Sequence, residues 1–107
     1  MDEHERWVSD QEDEIERKLR LGQNMELFPE VLDAVETEPF RERRWRQLML
    51  ALYRSGRTLE SLRQFQRLRT LLGEVGRHPS AETEELVRAI LQQRSELDWT
   101  GPESIAY

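Results

Sequence analysis

The chain has 107 residues, which is enough for one hydrophobic core and too few for two. It contains no cysteine, which excludes a disulfide framework and thiolate metal ligands. The first residues, MDEHERW, are polar and no apolar run approaches the length of a membrane span. The sequence therefore predicts a cytoplasmic protein.

Charge is strongly segregated along the chain, whose formal net charge is −6. Residues 1–39 carry 13 acidic and 4 basic side chains, residues 40–80 carry 3 and 10, and residues 81–107 carry 6 and 2. One interpretation is that the basic centre meets an anionic partner. The other, which we favour, is that neighbouring helices neutralise one another.

Apolar residues recur at helical spacing, and five helices are predicted. The first extends from the N-terminal region to Leu21, with an alternative start at Ser9, whose spacing from Glu12 fits a capping box. Its sparse apolar stripe consists of Trp7, Val8, Ile15 and Leu19. The second covers about 24–37, with Asn24 as its expected N-cap.

The third and fourth helices are predicted at about 40–55 and 58–73, and the fifth follows Ser80, which suits an N-cap. The residues expected to face inward on the third helix are Trp45, Leu48, Met49, Leu52 and Tyr53. On the fourth helix they are Leu59, Leu62, Phe65, Leu68, Leu71 and Leu72, and on the fifth they are Leu86, Val87, Ile90 and Leu91. The segment after the fifth helix lacks a period and is expected to be a flexible tail, although its Trp99 could dock on the body of the domain.

A shift of 34 residues relates two parts of the chain. Gly22 and Gly56 stand 34 apart, and each ends one predicted helix and precedes another. A helix–turn–helix unit with this period is typical of the tetratricopeptide repeat. Trp45, with Leu48 three residues later, and the small residue Ser61 fit its pattern. The predicted fold is all-α: about five helices in antiparallel hairpins, stacked as a tetratricopeptide-like right-handed superhelix.

The sequence also resembles a known family over about residues 12–93. The resemblance is carried by RERRW, by LMLALYRSGR at 48–57, by the aromatic and basic helix at 62–72, and by Pro79-Ser80 with its following leucines. These features resemble the bacterial transcriptional activator domain of the Streptomyces antibiotic regulatory protein family. The resemblance implies a transcription-regulating module that normally follows a DNA-binding winged helix and contributes to dimerisation or interdomain contact.

The expected organisation is one such domain over 1–94 and a tail over 95–107. The family's leading helices and the winged helix are not recognised, so the domain is expected to be truncated on its N-terminal side. The chain is either a fragment of a larger regulator or a stand-alone relative.

We searched the sequence for catalytic and ligand sites. His4 and His78 lack partners at metal-ligand spacing, and the acidic run at 10–14 lacks the glycine of a calcium loop. No nucleotide-binding glycine loop or nucleophile motif is recognised. The sequence therefore predicts a non-enzyme without metal or cofactor.

Binding to protein is the favoured interpretation, and one flank of the third helix is the candidate surface. Arg43, Arg46, Leu50, Tyr53 and Arg54 fall on the side that would line the concave groove of a tetratricopeptide repeat. Arginines could clamp a carboxylate-bearing segment there, or they could pair with the acidic first helix, for instance with Glu12 and Glu16.

The expected partner is a protein or a second copy of the chain, with no direct nucleic-acid or membrane contact. Two alternatives remain: a nucleic-acid accessory element using the basic centre at 41–69, and a regulatory arm of a larger signalling ATPase or cyclase.

Overall fold

A computed structural model describes residues 2–98, and within that range the chain is helical without a β-strand. The helices are α1 (Glu3–Arg20), α2 (Phe28–Thr37), α3 (Glu42–Arg54), α4 (Thr58–Glu74) and α5 (Ala81–Leu91), followed by a short 3₁₀ turn (Ser95–Leu97). The prediction of an all-α helical-repeat fold is confirmed. Among the described residues, no helix is both long and apolar enough to cross a membrane. Trp99 lies outside the described residues.

The repeat of 34 residues is visible in the backbone. Gly22 and Gly56 follow the ends of α1 and α3 with φ of 81° and 78°, a left-handed conformation that glycine adopts without a Cβ clash. In both turns the residue after the glycine donates its N–H to a carbonyl five residues back, at 3.1 Å for Gln23 to Lys18 and 2.9 Å for Arg57 to Leu52. Both helices therefore end in the same Schellman turn.

The N-terminal ends of two helices differ from the sequence prediction. Residues 24–27 form turns, so α2 begins at Phe28 and Asn24 is not its N-cap. Pro29 accounts for this, because its ring clashes with the carbonyl four residues earlier and it has no N–H to donate to that carbonyl, so it is tolerated in the first turn of a helix but not further inside one. Similarly, α3 begins at Glu42 rather than Phe40, and Arg41 before it is extended. Finally, α1 begins at Glu3 with Asp2 as its side-chain cap, which places Ser9 inside the helix.

Helix α3 lies at the centre of the fold. It packs against α2 and α4, and also against α1 and α5. The main core gathers apolar residues of α1 to α4 around it, including Ile15, Val31, Leu48 and Leu68, each fully buried. Ser61 of α4 is also fully buried and donates its hydroxyl to the carbonyl of Met49 at 2.8 Å, which brings α3 and α4 close together. Helix α3, which carries the predicted contact residues, thus packs against all four of the other α-helices in the described part of the chain.

Burial follows the predicted stripes with several corrections. Trp45, Leu48, Met49 and Leu52 are buried as expected. Residues predicted to face inward that are instead exposed are Trp7, Leu59 and Leu91. Leu59 lies in the first turn of α4 and Leu91 is the last residue of α5, so each helix end leaves one apolar side chain uncovered. Phe65 is only half-buried and does not belong to the main core.

Candidate functional site

Three of the five predicted contact residues line one groove. Its cavity of about 390 Å³ is lined by Glu16 and Leu19 of α1, Arg43, Arg46, Gln47 and Leu50 of α3, and Glu82 and Leu86 of α5. We call this the α1–α3–α5 groove. Leucines from all three helices contribute its apolar surface, and charged side chains stand beside them. Such a combination suits an apolar side chain of a partner with polar contacts around it.

The two arginines at this groove form hydrogen bonds and ion pairs with the flanking helices. Arg43 donates to Asp13 of α1 at 2.8 Å and lies 3.7 Å from the carboxylate of Glu16. Arg46 donates to the hydroxyl of Thr83 at 3.0 Å and lies 3.4 Å from Glu82 of α5. Both guanidinium groups are therefore ion-paired with carboxylates of the flanking helices at the rim of the groove.

Tyr53 and Arg54 line a neighbouring cavity, one to two turns further along α3. It measures about 510 Å³ and is lined by Asn24, Tyr53, Arg54, Gly56, Thr58, Gln93 and Asp98. Arg54 donates to the backbone carbonyl of Leu97 at 2.7 Å and to that of Leu19 at 3.3 Å. Burial lowers the pKa of Arg54, while the negative charges of Glu16 and Asp98 act in the opposite direction. Arg54 therefore joins the end of α1 to the segment that follows α5.

A buried ion-pair network lies beside the groove and fixes α1 on α3. Glu12 and Arg44 are both essentially inaccessible, and Arg44 donates from Nε to Glu12 Oε2 at 2.9 Å. Arg41 donates to both oxygens of the same carboxylate at 2.9 Å, and Arg44 also donates to the carbonyl of Ala34 at 2.7 Å. Burial alone would raise the pKa of Glu12, but hydrogen bonds and positive charge from Arg41 and Arg44 outweigh it and lower that pKa.

The ion pairs bear on the two interpretations of the charge segregation. Three arginines of the basic centre, Arg41, Arg43 and Arg44, pair with acidic residues of α1. On the opposite side of the fold, Arg67 pairs with Glu36 of α2 at 3.0 Å. Much of the basic centre is thus neutralised within the fold, as the favoured interpretation expected.

Two residues of the site were missed by sequence reasoning. Gln47 is 3% exposed; its amide donates to the carbonyl of Glu12 at 2.9 Å, while its own Oε1 has no hydrogen-bond partner among the described residues. Thr83 is fully buried and links Arg46 to Glu42, which it reaches at 2.9 Å. In the sequence, Gln47 stands inside a polar-looking run and Thr83 inside an acidic first turn. No sequence signal distinguishes them from solvated residues.

A larger cavity lies on the other side of α3 and was not predicted. It measures about 620 Å³ between α2 and α4, and Trp45 forms part of its wall. The indole of Trp45 donates to the carbonyl of Pro39 at 2.7 Å, and the guanidinium of Arg67 lies 5.3 Å from the centre of the indole. The polar group and one face of the ring are therefore already engaged, which is what a structural tryptophan requires.

These features define a small all-α module of stacked helical hairpins with paired charges on its central helix. Comparison with known proteins agrees with this class, since residues 3–91 match the family described as "Bacterial transcriptional activator domain". The chain belongs to that family.

Similar proteins include two Streptomyces regulators. The chain is 43% identical over 90 residues to "Regulatory protein DnrI" of Streptomyces peucetius, a match that covers 83% of this chain and 33% of that protein. It is 38% identical over 87 residues to "Regulatory protein AfsR" of Streptomyces griseus, which covers 80% of this chain and 9% of that protein. The chain thus spans about a third of the first relative and under a tenth of the second. The resemblance to the Streptomyces regulatory proteins is confirmed, and the family is one of transcriptional activators.

Proposed function

We propose that the chain is a non-catalytic protein-interaction and dimerisation module of a bacterial transcriptional regulator. It acts in the cytoplasm, and in a longer parent chain it works beside a DNA-binding domain. Arg43, Arg46, Leu50, Tyr53 and Arg54 are its contact residues. The observation that carries this proposal is the α1–α3–α5 groove, in which leucines of three helices meet between two arginines that are hydrogen-bonded to the flanking helices.

The geometry is more favourable for a protein partner than for nucleic acid. Arginines bind nucleic acid by neutralising its phosphates, which releases the counterions condensed on the phosphate backbone. Arg43 and Arg46 already have carboxylate partners at 2.8 Å and 3.4 Å. A protein partner can bind without breaking these ion pairs, because its apolar side chain enters the groove while the ion pairs stay at the rim.

Exchange of matched segments between regulators tests the regulatory role. The chain replaces the matching 90 residues of the Streptomyces peucetius regulator, and transcription from a promoter that responds to that regulator is measured. We expect the chimera to regulate the promoter and Leu50→Gln to reduce the response at least several-fold. The matched control is Leu59→Gln, because Leu59 is 62% exposed on α4 and lies outside the groove.

The proposed dimerisation is tested by a separate measurement. Light scattering across a concentration series should show a dimer that Leu50→Gln weakens and Leu59→Gln leaves intact, with the melting temperature of each variant measured alongside. A chimera that responds equally with both variants would contradict the role of the groove. A chain that stays monomeric throughout would remove dimerisation from the proposal.

A further inference from the structure

The acidic and basic parts of the sequence occupy different parts of the α1–α3–α5 groove. Residues 1–39, with 13 acidic and 4 basic side chains, include α1, and residues 81–107, with 6 and 2, include α5. Helix α3 belongs to the basic part of the chain and packs against both of them. The groove therefore has a basic centre, formed by α3, between two helices from acidic parts of the chain.

The carboxylates around the groove are more exposed than the arginines with which they pair. The side chain of Asp13 is 64% exposed and that of its partner Arg43 is 34% exposed. The side chain of Glu82 is 81% exposed and that of its partner Arg46 is 23% exposed. Glu16 adds a further carboxylate 3.7 Å from Arg43. Three carboxylates thus surround two guanidinium groups, and the most exposed of these charges are negative.

Both guanidinium groups already have partners within the fold. Arg43 donates to Asp13 at 2.8 Å and also lies 3.9 Å from the buried carboxylate of Glu12. Arg46 donates to the hydroxyl of Thr83 at 3.0 Å. An acidic segment in the groove would displace one of these partners and place another negative charge beside the carboxylates, which is unfavourable. A cationic side chain instead meets carboxylates that are open to solvent and can accept its hydrogen bonds.

The apolar surface of the groove lies among these charges. Leu50 of α3 and Leu86 of α5 are both half-buried, and the fully buried Leu19 of α1 lines the same cavity of about 390 Å³. Lysine and arginine cover apolar surface with their alkyl stems while their charged groups stay in water. The groove therefore suits a segment that combines an apolar side chain with basic neighbours.

We propose that the α1–α3–α5 groove receives a basic amphipathic segment of a partner protein. An apolar side chain of that segment contacts Leu50 and Leu86. Lysine or arginine side chains beside it meet Asp13 and Glu16 on α1, and Glu82 on α5. This inference rests on the proposed function, since it specifies which kind of protein the same groove receives. The partner has the opposite charge to the carboxylate-bearing segment that the arginines suggested in the sequence.

Glu82 and Glu84 provide a matched pair of variants. Both are exposed glutamates in the first turn of α5, but Glu82 lines the groove, whereas Glu84 lines a separate cavity between α4 and α5. Glu82→Gln and Glu84→Gln therefore remove the same charge from the same end of one helix. A difference in peptide binding between the two variants arises from the groove and not from the net charge of the chain.

The probes are the peptide Lys-Lys-Leu-Ala-Leu-Lys-Lys and two versions with glutamine or glutamate in place of every lysine. Each is titrated into the full, isotope-labelled chain and followed by NMR. We expect the lysine peptide to bind at least several-fold more tightly than the glutamine peptide and to shift the amide resonances of Leu50 and Leu86. Glu82→Gln should weaken its binding about two- to fivefold, the effect of losing one exposed ion pair, and Glu84→Gln should leave it unchanged. Circular dichroism checks that the variants have equal helix content.

Tighter binding of the glutamate peptide, equal binding of all three, or no binding of any would overturn the proposal. Equal weakening by Glu82→Gln and Glu84→Gln would also overturn it, since that result indicates general attraction to an acidic protein. These results are separable from the proposed function. A chimera that depends on Leu50, together with a groove that prefers the glutamate peptide, would keep the regulatory groove and reverse its charge preference. A lysine peptide that binds at Glu82, together with a chimera that is insensitive to Leu50→Gln, would leave a peptide-binding groove without the regulatory role.

Discussion

The buried carboxylate of Glu12 offers the most direct test of how α1 is held. Replacing Glu12 by leucine leaves the guanidinium of Arg44 fully buried with only the carbonyl of Ala34 and the amide of Gln11 as acceptors. Removing one partner of a buried ion pair typically costs about 3–5 kcal/mol. Since small domains are stabilised by about 5–15 kcal/mol in total, this variant should be close to unfolding.

The double variant separates the ion pair from packing. Replacing Glu12 by leucine and Arg44 by methionine removes both charges, and such hydrophobic replacements of a buried pair are often neutral or stabilising. We expect Glu12→Leu to lower the free energy of unfolding by about 3–5 kcal/mol and the double variant to recover at least half of that loss.

Urea denaturation monitored by circular dichroism measures all four chains of this cycle. The slope of the transition should stay constant among them, because the surface exposed on unfolding is nearly the same. A coupling energy between the two positions below about 0.5 kcal/mol would refute the reasoning, since independent sites add within that limit.

Three further predictions concern stability. Trp45→Ala should lower the free energy of unfolding by about 3–5 kcal/mol because the indole is 2% exposed, whereas Trp7→Ala at 52% exposure should change it by under about 0.5 kcal/mol in the same urea titration. Gly56→Ala should destabilise by about 1–2 kcal/mol through its φ of 78°, while Gly73→Ala inside α4 should stabilise by about 0.5–1 kcal/mol; equal melting temperatures would contradict both. The folded-state pKa of Glu12 lies below its ordinary value of 4.5. The ionised Glu12 carboxylate therefore stabilises the folded state above that value, and this contribution is lost as pH falls through the folded-state pKa. The wild type should consequently lose more free energy of unfolding than Glu12→Gln between pH 6 and pH 3.

Much of the fold could be predicted because local signals agreed with the packing. Glycines 34 apart end α1 and α3 in the same turn, and the apolar stripe of α3 is buried where its spacing predicted. The errors occur where tertiary context overrides a local signal. Asn24 has the chemistry of an N-cap, but Pro29 five residues later prevents the helix from reaching it.

The candidate site was only partly predictable, for a different physical reason. Helical periodicity placed Arg43, Arg46 and Leu50 on one flank of α3, and the three line one cavity. It could not choose their partners, because an arginine side chain reaches either neighbouring helix. Arg46 pairs with α5 and Arg54 with backbone carbonyls, neither of which the sequence specified. Whether these residues contact a partner stays a prediction.

The predicted contact surface of α3 has one end near Arg43 and the other near Arg54, and different contacts stabilise the two ends. We therefore expect the two ends to have different roles. The Arg43 end rests on α1, which the buried carboxylate of Glu12 joins to α3 through two arginines. The Arg54 end is covered by residues 93–98, where the carbonyl of Leu97 accepts from Arg54 and Arg94 pairs with Glu85. Local opening is favoured where few buried contacts must break. Changes at Glu12 should therefore destabilise the whole fold, whereas local opening should begin at the Arg54 end.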